Sequence, residues 1–549
     1  MALAELPIDP GADYGEVFTR RWVVDLILDL VGYTPDKDLA AQRLVEPSCG
    51  TGAFLVPVVD RLIASSQSHG RPLTALAGAI RAFDLLDVNA ERTRKAVSLR
   101  LEEAGLSQVD ATELAETWVT TGDFLLADHE PRSAAYVVGN PPYIRLENVR
   151  SEVMEAYRRR CVTMRGRSDI YVGFIEVGLE LLEPDGALGF ICADRWMRNQ
   201  YGADLRGLVT GSYAVDTVLT MHDVDAFEDE VSAYPAVVVL RNEVQGRAFV
   251  AAASAQFGPT DAAELVTWSR EPKSRALELQ AVEASTMDRW FDGGDLWPSG
   301  SPGQLALIAD LEARFPPLED STTGTRVGIG VATGCDGVYI TDDADLVEED
   351  RLLPLLQAGD IATGQLAWSG RYLVNPWDEN GLVALDRHPR LAEHFAANGD
   401  RLRSRHVARV RPHQWYRTID RVHSDLQGRP KLLLPDIKAA AHPVLDDGRF
   451  YPHHNLYFVV SDQWDLEVLG GLLLSDLANL FVGAYCVKMR GGCYRFQAQY
   501  VRRIRVPAQA SIARADRRAL AEAFRARDIA EATAVACKVY GITALPQVG

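Results

Sequence analysis

The sequence has no CxxC pair and an odd number of cysteines: Cys49, Cys161, Cys192, Cys335, Cys486, Cys493 and Cys537. That spacing excludes a disulfide scaffold and offers no zinc-ligand pattern, so no metal is expected and the thiols read as reduced, as in a cytoplasmic protein. No run of about 18 apolar residues occurs; the nearest, around Leu469–Val487, is interrupted by Asp476, and no membrane partner is expected. The opening MALAELPIDPGADYG lacks the basic and apolar regions of a secretory signal. Positive charge is also short. Against 76 Asp and Glu stand 57 Lys and Arg, a net charge of −19, so a phosphate-bearing partner has to meet a local basic face. Repeats and low-complexity tails are missing too. What is present is ordinary for a globular protein: 47% apolar and 24% charged residues over 549 positions. This is enough chain for two to four domains, with no need of a covalent or metal staple.

Strand-like apolar runs fall at Arg43–Val45, Arg81–Phe83, Trp118–Thr120, Tyr136–Gly139, Ala187–Cys192, Asp216–Met221 and Ala236–Leu240. Segments with helical spacing lie between most of them, including Trp22–Leu30, Ala53–Ala64 and Ile170–Leu182. This alternation predicts an α/β fold with a mostly parallel, doubly covered sheet. Ligands of such sheets bind beyond the carboxyl ends of the strands. Gly293–Gly303, GGDLWPSGSPG, reads as a boundary. The expected organisation is a first domain over 1–250, a connector over 251–305 and a second domain over 306–549.

The second half holds the positive charge. Residues 401–438 carry ten Lys or Arg against three Asp, and residues 488–505 carry six with no acid. Interleaved aromatics include Trp415, Tyr416, Tyr485 and Tyr500. A solvated basic face is the plain reading. A phosphate-tracking surface is the functional one, with Arg409, Arg411, Lys488, Arg490, Arg495, Arg502 and Arg503 as its candidate phosphate contacts.

Four motifs follow successive strands. Glu46-Pro47-Ser48-Cys49-Gly50-Thr51-Gly52-Ala53-Phe54-Leu55 is a Gly-rich turn into a helix. It is neither GxGxxG nor a P-loop, and on its own it reads equally as a simple connection. Asp84 ends the second strand, where a carboxylate suits ribose hydroxyls, although a helix cap is the simpler reading. Asp123-Phe124 follows the third: an acceptor for an adenine amine beside a ring to cover it, or merely a loop acid. The fourth strand runs into Asn140-Pro141-Pro142-Tyr143. Its prolines fix φ and remove two donors. The Asn140 amide oxygen and Pro141 carbonyl can then accept from one NH2 group while Tyr143 stacks on a planar ring.

These residues resemble the N6-adenine DNA methyltransferases of bacterial restriction–modification systems, in the gamma arrangement typified by the Taq-type enzyme. Tyr14-Gly15-Glu16-Val17-Phe18-Thr19 resembles that family's N-terminal cofactor motif, with Arg20 where Pro is usual. Asn140–Tyr143 matches its catalytic NPPY, and Ser168–Tyr171 and Gly186–Trp196 its succeeding motifs. Val327–Tyr339 and Lys431–Lys438 resemble pieces of its target-recognition domain. Among its branches the Sal/Xam-type modification methylases look nearest, which implies a short palindrome with a TCGA core.

The resemblance implies a Rossmann-like class I S-adenosylmethionine-dependent methyltransferase sheet and a C-terminal α+β target-recognition domain. It implies S-adenosylmethionine as cofactor, held by Thr19, Glu46, Cys49, Gly50, Gly52, Phe54, Asp84, Asp123 and Phe124. It implies methyl transfer to N6 of a flipped adenine at Asn140, Pro141, Pro142 and Tyr143, with Phe227 as a second stacking ring or, alternatively, a core residue. The expected partners are double-stranded DNA and a cognate restriction endonuclease acting on the same site, and the expected state is a monomer. Three alternatives stay open: a protein-glutamine methyltransferase, an RNA adenine methyltransferase, and a non-catalytic DNA-binding specificity protein. C5-cytosine chemistry is disfavoured because no Pro-Cys dipeptide occurs.

Overall fold

The run Ala134–Gly139, AAYVVG, is buried at every position. A strand with no polar face needs cover on both sides and takes the middle of a sheet. In the computed structural model, which describes residues 17–145, 148–228, 234–271, 274–438, 442–486, 494–495 and 498–546, this strand is β4. Its neighbour β1 (Leu44–Glu46) pairs parallel to it and to β2 (Ile80–Asp84), which pairs parallel to β3 (Val119–Thr121). On the other side lies the parallel β5 (Leu182–Ala193), followed by β6 (Ala214–Thr220) and the antiparallel β7 (Pro235–Arg241), which is wedged between β5 and β6.

Helices α1 (Arg21–Val31), α2 (Leu55–Ser68), α3 (Asp87–Glu103), α4 (Gln108–Trp118), α5 (Ser151–Arg160) and α6 (Tyr171–Leu181) connect and cover these strands. The strand order β3-β2-β1-β4-β5-β7-β6, with only β7 reversed, is that of the Rossmann-like class I methyltransferase sheet. It also sets the site. With β7 antiparallel to both neighbours, the loop from β6 to β7 crosses the sheet edge where β1, β2 and β4 end.

The chain divides into two compact units, Met1–Ala309 and Asp310–Gly549. Residues 251–305, expected as a connector, are corrected. β8 (Ala248–Ala253), the helix Pro259–Arg270, β9 (Ala276–Glu278) and β10 (Val282–Met287) belong to the first unit and extend its sheet to ten strands. In the Ala-rich AFVAAA of β8, only Phe249 and Val250 are of the aromatic and β-branched kinds that announce a strand.

The second unit is α+β. An antiparallel sheet runs in the order Arg326–Ile329, Leu456–Val460, Lys431–Pro435, Val444–Asp446. A second sheet joins Ile340–Thr341, Tyr372–Val374, Leu352–Leu356 and Tyr451–Pro452. Lys431 sits in the first sheet with its ammonium fully buried, 2.9 Å from Asp446 Oδ2 and 3.0 Å from the Phe450 carbonyl. The apolar stretch around Leu469–Val487 contains two helices, Leu466–Leu474 and Asp476–Tyr485, bent by 67° at their junction. Ser475 causes the break by capping the second helix through the Ala478 N–H.

Candidate active site

The carboxyl ends of β1, β2 and β4 face one open cleft of about 1010 Å³, its solvent-filled mouth included, lined among others by Thr19, Glu46, Gly50, Asp84, Asp123 and Asn140. Its floor is the Gly-rich turn after β1. Gly50 and Gly52 have φ of +54° and +99°, conformations that a side chain resists. The Cys49 N–H donates to the Phe83 carbonyl at 2.8 Å, and the Gly50 N–H to Asp84 Oδ2 at 2.8 Å. The other Asp84 oxygen accepts from the Leu86 N–H at 2.9 Å. Asp84 thus stitches two strand ends together, a structural duty its position in the sequence did not disclose. Gly52 shapes the turn from behind, where its missing Cβ faces Val56 and Thr93. The Cys49 thiol is buried, and burial pushes its pKa upward, so it packs as an apolar group rather than a nucleophile.

Glu46, at the end of β1, is 1% exposed, and its Oε2 makes no hydrogen bond. Burial holds its pKa well above the usual carboxylate range, and the Asp84 charge adds to the shift. A buried acid on a cleft wall without a counter-charge is suited to a cationic ligand. Asp123, after β3, accepts from the Leu125 N–H at 2.9 Å and from the Tyr157 hydroxyl at 2.7 Å. Burial raises its pKa, and those two bonds oppose the rise. Phe124 is buried and stacks on Phe174, with ring centres 5.4 Å apart. Phe54 is buried at the foot of α2 and also lines the cleft. Tyr157, on α5, lines the cleft too; sequence reading missed it because α5 presents mainly charge, EAYRRR.

The Asn140 turn forms the cleft wall after β4. Both hydrogens of its amide are engaged: Nδ2 donates to the Val17 carbonyl at 2.9 Å and to Thr19 Oγ1 at 3.2 Å. Its Oδ1 is buried without a partner. The Ser48 hydroxyl donates to the Asn140 carbonyl at 3.0 Å, so the turn is braced from β1. Val17 and Ser48 fall within the quoted motifs, but no role was assigned to either from the sequence. Pro141 is buried, and Pro142 lines the cleft.

Tyr143 donates from its hydroxyl to the Ile191 carbonyl at 3.3 Å, and burial keeps that phenol neutral. Phe227 comes from the β6–β7 loop and is 5% exposed. Its ring lies 6.4 Å from that of Tyr143 at 78°. The two expected stacking rings are neighbours, edge to face rather than parallel. The segment around Thr19 runs against this loop: Thr19 bridges Phe227, the Arg20 N–H donates to the Ala226 carbonyl, and the Glu228 N–H to the Phe18 carbonyl. Tyr14–Glu16, the start of the expected N-terminal motif, lies outside the described residues.

The basic candidates divide. Arg409 and Arg411 are exposed, the first in the helix His406–Val410. Arg403 lies over the Trp415 ring at 3.8 Å. Arg502, which is exposed, and Arg503, which is half-buried, also make contacts within the second unit. Arg502 donates twice to the Val327 carbonyl and pairs with Glu319 at 3.3 Å. Arg503 lies 4.2 Å over the Tyr485 ring and 3.8 Å from Glu312. Arg405, Arg421, Arg429 and Lys431 are likewise engaged with carbonyls or carboxylates of their own unit. Lys488 and Arg490 lie outside the described residues. Arg495 is described as backbone only, in a two-residue strand paired with Ile437–Lys438.

The sheet, its Gly-rich turn and the Asn-Pro-Pro-Tyr turn at its edge define a methyltransferase. The family description Eco57I restriction-modification methylase matches residues 83–227. The chain is 44% identical over 534 residues to the type II methyltransferase M.PaeR7I of Pseudomonas aeruginosa, covering 96% of this chain and 92% of that one. It is 41% identical to M.XhoI of Xanthomonas vasicola, over 96% and 97% of the two chains, and 39% identical to M.BstVI of Geobacillus stearothermophilus, over 90% of each. The chain belongs to the type II methyltransferases of restriction–modification systems.

Proposed function

We propose that the protein is a gamma-class, Taq-type enzyme that methylates N6 of a flipped-out adenine in a short duplex site, with S-adenosylmethionine as methyl donor. The observation that carries this reading is the Asn140 amide: its hydrogens are committed and its buried oxygen is free at the cleft.

The residues present fit the cofactor. Glu46 offers an unpartnered buried carboxylate oxygen to a cationic group. Asp84, beside the turn, is placed for ribose hydroxyls, Asp123 for an adenine amine, and Phe124 for the ring face. When bound, S-adenosylmethionine supplies an electrophilic methyl group on a sulfonium that leaves readily.

The chain's own task is orientation. The exocyclic amine of adenine is a weak nucleophile because its lone pair is spread into the ring. Asn140 Oδ1 and the Pro141 carbonyl accept its two hydrogens, localise that pair and aim it along the line of transfer, which supplies much of the rate gain. Asn140 is neutral and takes no proton; the proton passes to water after transfer. Extruding the base costs a few kcal/mol. Contacts with Tyr143 and Phe227, about 1–3 kcal/mol each, offset this cost; it requires their rings to part from the present edge-to-face arrangement. The Sal/Xam-type resemblance favours a palindrome with a TCGA core, shared with a cognate endonuclease, and a monomeric enzyme.

The test is direct. The protein is incubated with methyl-labelled S-adenosylmethionine and unmethylated mixed-sequence DNA, and the digested nucleosides are identified by mass spectrometry. Labelled N6-methyldeoxyadenosine is expected. Label in N4-methylcytosine, or none despite cofactor binding, overturns the adenine assignment.

A further inference from the structure

We propose that Thr19 is a positioning residue for methyl transfer: with the Val17 carbonyl it locks the Asn140 amide in the orientation that presents oxygen, not nitrogen, to the target amine. The proposal rests on the adenine-N6 reading above and assigns to Thr19 a duty other than the cofactor contact its motif implied.

A primary amide has two ends of similar shape and opposite polarity, and rotation by 180° about its last torsion exchanges them. At the transfer site only one end is useful. Oδ1 accepts from an amine; Nδ2 turned the same way would set N–H against N–H. Nothing in the shape of the Asn140 side chain selects between the two. The selection comes from the far side of the amide: the Val17 carbonyl, 2.9 Å away, can only accept, and the Thr19 hydroxyl, 3.2 Å away, takes the second amide hydrogen and holds the group against that carbonyl. A flipped amide would place Oδ1 against the Val17 carbonyl, two acceptors with no hydrogen between them. Thr19 is 3% exposed, so water has little room to replace its hydroxyl.

The lock has a second consequence. Thr19 also forms a backbone bridge with Phe227. The residue that orients the Asn140 amide is therefore tied to the loop carrying the ring expected to stack on the base. An aromatic that moves to admit a base pulls on the same short segment that holds the amide.

Three variants separate this role from others: Thr19→Val keeps shape and removes the acceptor, Thr19→Ser keeps the acceptor and removes a methyl group, and Thr19→Ala repeats the removal where valine disturbs packing. The first readout needs no catalysis. In full-length protein labelled with ¹⁵N at asparagine side chains, the Asn140 NH2 pair is assigned by its loss in Asn140→Asp. It is expected to exchange slowly with solvent in the wild type and in Thr19→Ser, and at least tenfold faster in Thr19→Val. An Asn140 signal indifferent to Thr19→Val overturns the lock.

The second readout is single-turnover methyl transfer beside cofactor affinity measured by calorimetry. Thr19→Val is expected to slow transfer at least tenfold with cofactor affinity changed less than threefold, and Thr19→Ser to recover most of the rate. Lost cofactor affinity with an unchanged transfer rate overturns the proposal and returns Thr19 to the cofactor. An exchange pattern as expected, in a wild-type protein that places no methyl on adenine, leaves the lock standing and removes the adenine reading instead.

Discussion

The Tyr157 hydroxyl donates a 2.7 Å hydrogen bond to Asp123 Oδ2, joining α5 to the loop after β3. The bond holds the carboxylate in one rotamer at the cleft and opposes the rise in its pKa that burial causes. Tyr157→Phe keeps the ring and deletes the bond. A hydrogen bond to a charged acceptor contributes about 1.5–3 kcal/mol, so S-adenosylmethionine affinity should fall roughly tenfold or more by calorimetry. An unchanged dissociation constant would mean that Asp123 does not contact the cofactor.

Asn140→Ala removes the free acceptor. Loss of one oriented acceptor at a reacting centre costs about 3–4 kcal/mol, and the transfer rate should fall at least a hundredfold. DNA affinity should stay within a few-fold, because phosphate contacts dominate it. Transfer kinetics and DNA binding by fluorescence anisotropy, measured on one preparation, check both.

Glu46 gives a pH signature. In the free protein its pKa lies above the ordinary 4.5, so the folded chain holds a proton there that the unfolded chain releases. Folding stability from this group falls as pH rises from about 4.5 through the raised value. A bound cation reverses the preference and expels the proton. S-adenosylmethionine affinity should therefore rise with pH through the same window and level off above it. Calorimetry in buffers of different ionisation enthalpy should count up to one proton released. In Glu46→Gln the release should vanish and the fall in stability should flatten.

Arg409 and Arg411 should separate in salt titrations from Arg502 and Arg503, whose guanidinium groups are held by neighbours in their own unit. Replacing both Arg409 and Arg411 by Gln should weaken DNA binding across sequences and reduce the slope of log K against log salt by about 2, near 0.9 for each phosphate no longer neutralised. Replacing Arg502 or Arg503 by Ala should lower the thermal midpoint and leave that slope in place. The opposite pattern would put the phosphate-tracking face on Arg502 and Arg503.

The buried pair Lys431–Asp446, with neither side chain exposed, should respond asymmetrically. Lys431→Met strands a buried carboxylate and should cost about 3–5 kcal/mol by urea unfolding. Adding Asp446→Leu should recover little of that loss, because Asp446 also accepts from the Gly448, Arg449 and Phe450 N–H groups, which the leucine would leave unpaired.

The fold of the first unit was legible because its signals are local. Strands such as AAYVVG are continuous apolar runs, and Glu46–Leu55 and Asn140–Tyr143 are contiguous strings whose glycines and prolines constrain the backbone directly. What escaped was non-local or chemically muted. β8 is mostly alanine and pairs with β6, a partner about 30 residues away. The contacts that orient the Asn140 amide come from 121 and 123 residues earlier, and no spacing rule reaches that far. The basic segments resist reading for a related reason. A count of arginines cannot distinguish one that faces solvent, as Arg409 does, from one inserted among carbonyls, as Arg405 is.

The reversed strand β7 has a consequence for how the enzyme comes into being on the ribosome. Every group that lines the cleft lies at or before Phe174, and domains fold largely from the N-terminus as they emerge. Yet the β6–β7 loop that carries Phe227 reaches the sheet edge only when Pro235–Arg241 slides between β5 and β6. A nascent chain halted short of β7 has the cleft-lining groups in hand and no Phe227 ring set beside Tyr143. On the proposed function, competence is thus deferred until that late strand has been inserted.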